Sequence, residues 1–200
     1  MDPINTAIHH KFHIKRKLDP LPHKAWQGDR TALAQLFGEV GFTKGAEVGV
    51  ENGRFSKHLL AYNPALHLTC VDPWAAFSRK TDEVMQQAFE TTRARLARFG
   101  DRVEYIRKPS LEGARDVADG SLDFVYIDGL HDFDSVMGDI LAWAPKVRPG
   151  GMISGHDYCH IHRYGVIPAV DAYTRAHNIF LWYITFERTA PQAYSYFWVK

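Results

Sequence analysis

The feature that most constrains the fold is a regular alternation of short apolar runs with longer amphipathic stretches, which begins near residue 46 and continues to the C-terminus. The apolar runs predict strands at 46–50, 66–71, 103–106, 123–127, 152–155, 179–184 and 195–199. The amphipathic stretches predict helices at 54–62, 80–99, 110–117, 133–143 and 165–177. The run from Phe124 to Ile127 is continuously apolar, as expected of a parallel strand that helices cover on both faces. The pattern predicts an α/β fold, a doubly wound three-layer Rossmann-like sandwich around a mostly parallel sheet.

The 200 residues suffice for one such domain preceded by a short segment. Residues 1–28 lack a sustained period, are locally basic and contain Pro3, Pro20 and Pro22. We expect them to form an N-terminal arm, either a solvated segment or a lid over an anionic ligand. Asp29 can then cap a helix that ends near Gly41. Residues 29–200 are predicted to form a single domain.

Charge and hydropathy exclude several classes of protein. The 24 Lys and Arg residues nearly balance the 23 Asp and Glu residues, so the basic field typical of a nucleic-acid-binding protein is absent. The longest apolar run, 179–184, is far shorter than the roughly 20 residues that cross a bilayer. The N-terminus carries charge where a signal peptide would be apolar, and Cys70 and Cys159 are expected to be buried free thiols. We therefore expect a cytoplasmic protein with no membrane or nucleic-acid partner, and homo-oligomerisation stays open.

The first predicted strand ends in an acidic-x-Gly-x-x-x-Gly loop that runs from Glu47 through Gly49 to Gly53. Ligands of doubly wound sheets bind beyond such strand ends. Glu47 and Glu51 would repel a pyrophosphate, which needs bare backbone N–H groups, but they suit a ligand with an ammonium and a sulfonium group, as in S-adenosylmethionine. Asp72, at the end of the next strand, is placed to accept hydrogen bonds from two ribose hydroxyls. The alternative is that the glycines only permit a tight turn.

Four segments, read together and in order, resemble the class I S-adenosylmethionine-dependent methyltransferases, and within them the small-molecule and sugar O-methyltransferases. These segments are AEVGVENGRFSKHL, VDPW, LDFVYIDGLHDFDSV and PKVRPGGMISGHDY. The resemblance runs from about Thr31 to the C-terminus and implies a seven-stranded sheet with an antiparallel last strand. It also implies that Gly49 and Gly53 lie under the methionine part of the cofactor, with Asp72 on the ribose and Ser110 beside the adenine. Trp74 is expected either to stack on the adenine or to pack under a loop.

Polar side chains follow two further predicted strands: Asp128 after 123–127, and His156 with Asp157 after 152–155. Since these strands are neighbours in the resembled fold, the side chains would converge into a divalent-cation site, with Asp128 also beside the cofactor. In the metal-dependent O-methyltransferases that this stretch resembles, such residues hold magnesium, which lowers the pKa of the substrate hydroxyl. His156 stands where an acidic residue is usual, and a nitrogen ligand favours manganese, iron or zinc. We predict Asp128, His156 and Asp157 as ligands of a cation such as Mg²⁺ or Mn²⁺.

His131 offers a second route, because an imidazole that titrates near neutral pH can take the hydroxyl proton without a metal. Asp128 and His131 are therefore the predicted catalytic residues. The sequence does not separate metal-assisted transfer from base catalysis, and a purely structural network is the third reading.

Other residues near these strand ends have plainer interpretations. Loop residues expected near the substrate are Tyr158, His160, His162, Arg163 and Tyr164. The stretch 196–198 is expected to fill the core as an edge strand. Asp132 and Asp134 are expected at a helix N-terminus, and Asp139 at a solvated helix position.

The predicted function is methyl transfer from S-adenosylmethionine to a hydroxyl of a small molecule or sugar. Two alternatives remain. His131, His156 and a carboxylate are the ligand set of non-haem iron oxygenases, so an oxidative or hydrolytic metalloenzyme fits them, although that reading leaves Glu47 and Asp72 unexplained. The other alternative is a non-catalytic module that binds the cofactor without turnover.

Overall fold

The computed structural model describes residues 2–14, 21–25, 27–160, 165–186 and 193–200. Within them, one sheet has the strand order β1-β7-β8-β6-β5-β2-β3-β4. The strands are β1 (His23–Ala25), β2 (Lys44–Val48), β3 (His67–Val71), β4 (Val103–Ile106), β5 (Leu122–Ile127), β6 (Val147–Gly155), β7 (Trp182–Thr185) and β8 (Tyr196–Val199). The helices are α1 (Pro3–Lys11), α2 (Arg30–Glu39), α3 (Arg54–Tyr62), α4 (Asp82–Leu96), α5 (Ser110–Gly113), α6 (Phe133–Trp143) and α7 (Val166–Ala176).

The strand directions confirm the predicted mostly parallel sheet. β2 runs parallel to β3 and β5, β3 parallel to β4, and β5 parallel to β6. β8 is antiparallel to both of its neighbours, β6 and β7, as expected of the last strand. The strand count differs from the expected seven, because β1 adds an eighth strand parallel to β7 at the sheet edge. The stretch 196–198 is buried as expected, but it lies between two strands and the prediction of an edge strand is wrong.

Two apolar clusters lie on opposite faces of the sheet, and β5 contributes to both. Its Phe124 and Tyr126 belong to the cluster beneath α1 to α4. Its Val125 and Ile127 belong to the cluster beneath α5 to α7. These four side chains are at most 2% exposed, which explains why the strand is apolar throughout rather than alternating.

The described part of the N-terminal segment is packed on the domain rather than solvated. In α1, Ile8 is fully buried and Phe12 is 2% exposed, and the Phe12 ring lies 5.6 Å from that of Phe197 on β8. Ala25 of β1 is also fully buried. The basic residues at positions 15–17 and Pro20 lie outside the described residues.

Helix α2 begins as the sequence predicts, since the Asp29 carboxylate accepts hydrogen bonds from the backbone N–H groups of Thr31 and Ala32 at 2.9 and 3.0 Å.

No helix among the described residues is long and apolar enough to span a membrane. The two cysteines are free and buried, as expected.

Candidate active site

The carboxyl ends of β2, β5 and β6 lie at one edge of the sheet because the three strands are parallel neighbours. Backbone hydrogen bonds between adjacent strands continue one residue beyond the end of each of them. The backbone N–H of Gly49 donates to the Val71 carbonyl at 2.8 Å, and that of Asp128 donates to the Val48 carbonyl at 2.7 Å. The N–H of His156 donates to the Ile127 carbonyl at 2.9 Å. The structure thus brings together strand ends that the sequence placed far apart.

The glycine loop, residues 49–53, has a backbone that requires glycine at its first position. Gly49 has φ +87°, and a Cβ there would lie 2.1 Å from the Asp128 carbonyl oxygen. Gly53 also has positive φ and forms the N-cap of α3. The Glu51 carbonyl between them accepts hydrogen bonds from the Trp74 indole and the Thr92 hydroxyl, both at 2.8 Å. The loop is therefore held in shape by its neighbours.

Glu47 is an acid buried beneath this loop, with 2% of its surface exposed. Its carboxyl group accepts a hydrogen bond from the Ser56 hydroxyl. Burial raises the pKa of Glu47 to about 8, and the nearby carboxylates of Asp128 and Asp72 add to the increase. In the ligand-free chain Glu47 is therefore mostly protonated at pH 7.

Asp72 lies at the end of β3 and ties the glycine loop to the following segment. Its Oδ2 accepts from the Glu51 N–H at 2.9 Å, and its Oδ1 accepts from the Trp74 N–H at 2.7 Å. Burial raises the pKa of Asp72, and the N–H donors oppose the increase. Because a carboxylate has about four acceptor positions and the Val50 N–H is a third backbone donor to it, capacity for a ribose hydroxyl remains. The ribose contact itself stays a prediction.

Trp74 is 2% exposed and packs under the loop, which is one of the two positions expected for it. Its ring lies 4.7 Å from that of Phe89 and 6.4 Å from that of Tyr105. A contact between Trp74 and the cofactor stays a prediction.

Ser110 begins α5 and faces α6. The Trp143 indole N–H donates to its hydroxyl oxygen at 2.9 Å. Asp139 lies beside it and is only 5% exposed, so the expected solvated position is wrong. Sequence reasoning missed this residue, although Asp139 shares the helical spacing of Val136, Ile140 and Trp143 and so lies on the buried face of α6.

Asp128, His131, His156 and Asp157 form an acid–imidazole cluster beside the glycine loop. His131 Nε2 lies 3.0 Å from Asp157 Oδ2 and 3.9 Å from Asp128 Oδ1. His156 Nδ1 lies 3.4 Å from Asp157 Oδ2 and 3.9 Å from Asp128 Oδ1. Asp128, His131 and Asp157 each offer a ligand atom within 4.8 Å of the others, a group that could hold a metal ion. His156, which the sequence predicts as a ligand, lies at the margin of this group.

The ionisation of each group in the cluster depends on the charges of its neighbours. The carboxylates of Asp128 and Asp157 raise the pKa of His131 to about 9, although burial opposes them. Burial alone would raise the pKa of Asp157, but the hydrogen bonds from His131 and His156 hold it below its usual range. His131 is therefore an imidazolium at neutral pH in the ligand-free chain. It can accept a proton from a substrate, or bind a metal ion, only after it has lost its own proton. A positive charge close to it would favour that loss.

The expected loop residues around the cluster divide into three groups. The Tyr158 hydroxyl donates to Asp171 on α7 at 2.9 Å, so its polar end is turned toward that helix. His160 is exposed. Positions 162–164 lie outside the described residues.

Asp132 caps α6 by accepting from the Ser135 N–H at 3.0 Å, as expected of an acid at a helix N-terminus.

Comparison with known proteins identifies the type of domain. Residues 46–158 match the family described as "Methyltransferase domain". A curated relative, the uncharacterized protein y4gI of Sinorhizobium fredii (strain NBRC 101917 / NGR234), is 35% identical over 52 residues. That match covers 26% of this chain and only 6% of the relative's length.

Solved structures agree with the fold over the whole chain. Cofactor-bound Rv0187 from MTB has a TM-score of 0.62 at 16% identity, over 100% of this chain and 90% of that one. The O-methyltransferase TomG from Streptomyces achromogenes, solved in complex with SAM, has a TM-score of 0.62 at 14% identity, over 100% and 91% of the two chains. At these identities the likeness establishes a shared Rossmann-like fold.

Proposed function

The chain belongs to the methyltransferase-domain family, and we propose that it transfers a methyl group from S-adenosylmethionine to a hydroxyl of a small molecule or sugar. The observation that carries this proposal is the direct contact between the two parts of the site. Gly49 of the glycine loop packs on the backbone of Asp128, so closely that a Cβ would overlap its carbonyl oxygen. A ligand on the glycine loop therefore has its reactive end beside the acid–imidazole cluster.

The charges beneath the loop fit this cofactor. Glu47 is buried, and its pKa of about 8 reflects the cost of ionising it there, although the positive charge of Arg30 lowers it. A sulfonium close above it would favour the ionised form and so replace the proton. Asp72 adds an acceptor position for a ribose hydroxyl.

The acid–imidazole cluster supplies the groups that the acceptor hydroxyl needs. In the transfer, the hydroxyl oxygen forms a bond to the methyl carbon, the carbon–sulfur bond breaks in line with it, and the hydroxyl proton leaves to a base. The ionised Asp157 can hold the hydroxyl by accepting its hydrogen. His131 becomes a base once the positive charge of the cofactor weakens its attraction for a proton.

The same residues fit a divalent cation, since two carboxylates and an imidazole are a common donor set. Asp128, His131 and Asp157 would hold it, and it would act as a Lewis acid toward the acceptor oxygen. Both routes use His131 and Asp157, with Asp128 either as a third ligand of the cation or as a charge that acts on His131, and the effect of a chelator on turnover separates them.

Binding of S-adenosylhomocysteine, measured by titration calorimetry, tests the cofactor assignment. We expect binding by the intact chain and a loss of at least about tenfold in affinity in Asp72→Ala, because ribose acceptors and a loop contact disappear together. Asp101→Ala, at an exposed acid just before the amino end of β4, serves as the matched control. Absence of binding by the intact chain would refute the assignment.

We further propose that the chain acts in the cytoplasm on a small-molecule acceptor, with residues 29–200 as the catalytic domain and the N-terminal segment packed on it. Two buried free cysteines suit a reducing compartment.

A further inference from the structure

A cavity of about 620 Å³ lies between α3 and the second half of α4, and we refer to it as the α3–α4 cavity. Its volume is within the roughly 300–1,000 Å³ of small-molecule pockets. Three cations line it: Lys57 on α3, Arg95 on α4 and Arg98 on the turn that follows α4. The methyl transfer proposed above gives none of these side chains a role.

The positive charge that lines the α3–α4 cavity is not neutralised by the protein. The ion pairs that Lys and Arg side chains form within the described parts of the chain involve other cations: Lys11, Lys80, Lys108, Lys146 and Arg148. Among the described residues that line the cavity Glu90 is the only acid, and it accepts a hydrogen bond from the Gln86 amide at 3.1 Å. The lining therefore has an excess of two positive charges, which favours an anion.

Two of the three cations are held in place by contacts of their own. Arg95 Nη1 donates a hydrogen bond to the backbone carbonyl of Asn52 in the glycine loop. The Arg98 guanidinium carbon lies 4.7 Å from the centre of the Phe99 ring, a cation–π contact. A guanidinium has five N–H donors, so both arginines keep donors for a ligand. Because these contacts restrict the side chains before binding, an anion orders them at a lower entropic cost than it would order freely rotating surface cations.

The type of cation indicates the type of anion. The planar fork of a guanidinium matches two oxygens of a phosphate group, and the ammonium of Lys57 supplies a compact third charge from the facing helix. A nucleic-acid backbone is disfavoured, because the 24 Lys and Arg residues of the chain are offset by 23 Asp and Glu residues and leave no extended basic field. The cavity thus suits a ligand of limited size with phosphate oxygens.

We propose that the α3–α4 cavity is a binding site for the phosphate groups of a phosphorylated small molecule, held by Arg95 and Arg98 from one side and by Lys57 from the other. This site is additional to the one on which methyl transfer is proposed. Its existence does not depend on which cofactor or acceptor the domain uses.

Titration calorimetry with inorganic pyrophosphate, in low salt near neutral pH, tests the proposal. The intact chain should bind it saturably with a Kd below about 1 mM, through several charge-assisted hydrogen bonds. Arg98→Gln and Lys57→Gln, which change separate elements, should each weaken binding by at least about fivefold. Arg93→Gln is the matched control, since it removes the same charge from an exposed position of α4 that does not line the cavity. It should stay within about twofold of the parent.

The glycine loop is the other place where pyrophosphate could bind, since backbone N–H groups at a helix N-terminus attract phosphates. The titration is therefore repeated with saturating S-adenosylhomocysteine, and the pyrophosphate affinity should stay within about twofold. Loss of pyrophosphate binding in its presence would place the anion on the loop and overturn the proposal. If S-adenosylhomocysteine itself does not bind, the cofactor assignment fails, and the Arg98 and Lys57 variants still decide whether the cavity binds phosphate.

Three other results also count against the cavity. Absence of saturable pyrophosphate binding by the intact chain overturns the proposal, and so does equal weakening by Arg93→Gln, which would show a general effect of charge. Tighter binding of a short oligothymidylate than of pyrophosphate, lost in Arg98→Gln, would identify the surface as one for nucleic acid and overturn the assignment to a small molecule.

Discussion

The buried acid Glu47 gives the most quantitative prediction, because its ionisation links stability to pH. Its carboxyl group has a pKa of about 8 in the folded chain against 4.5 as the reference value, a difference of about 3.5 pKa units. Each unit corresponds to about 1.4 kcal/mol. Between these two values the unfolded chain releases the Glu47 proton and the folded chain keeps it, so the free energy of unfolding falls as pH rises. The contribution lost by pH 8 is about 5 kcal/mol.

The substitution Glu47→Gln removes this pH dependence while keeping an acceptor for the Ser56 hydroxyl. Urea unfolding of the cofactor-free chain at pH 5, 6, 7 and 8 should show the variant gaining stability over the parent as pH rises, by about 3–5 kcal/mol between the two ends. Glu112→Gln, at an exposed acid, should show no such trend. A difference between Glu47→Gln and the parent that does not change with pH would refute the reasoning.

Three further predictions concern the loop, the N-terminal segment and the cluster. Gly49 has φ +87°, and the Cβ that Gly49→Ala adds would meet the Asp128 carbonyl oxygen at 2.1 Å. Calorimetry on this variant should show at least about tenfold weaker S-adenosylhomocysteine binding. An affinity close to that of the parent would contradict the close contact. Phe12→Ala should lower the free energy of unfolding by about 3–5 kcal/mol in urea titrations, and a loss under about 1 kcal/mol would show that α1 contributes little. Mn²⁺ titrated into Asp157→Ala should bind at least about tenfold more weakly than into the parent or Asp134→Ala, and equal affinities would place any metal elsewhere.

Much of the fold follows from local pattern. The continuous apolar run of β5 and the Asp29 cap of α2 depend on burial and on backbone hydrogen bonding within a few residues, and both are visible in the sequence. Strand β1 is not, because three residues with the burial pattern buried, exposed, buried contain too little periodicity to predict a strand. Its place is set by pairing with β7, which lies some 160 residues further along the chain.

The candidate site shows the same division. The strand ends that carry Asp72, Asp128 and Asp157 were predictable, since parallel strands bring their carboxyl ends to one edge of the sheet. The partners of those residues depend on packing. The burial of Asp139 could have been predicted, since it shares the helical spacing of the apolar residues of α6. The position of His131 beside both acids could not, because it depends on the loop between β5 and α6.

Methyl transfer itself is the most direct test of the central claim. Purified chain incubated with S-adenosylmethionine labelled in its methyl group, a panel of phenolic and sugar hydroxyl acceptors, and either Mn²⁺ or a chelator should yield a labelled O-methyl product with at least one acceptor. Asp128→Asn should lower the rate by at least about a hundredfold while leaving S-adenosylhomocysteine binding within a few-fold of the parent. Turnover by Asp128→Asn at the parental rate would contradict the assignment of the acid–imidazole cluster as the catalytic centre.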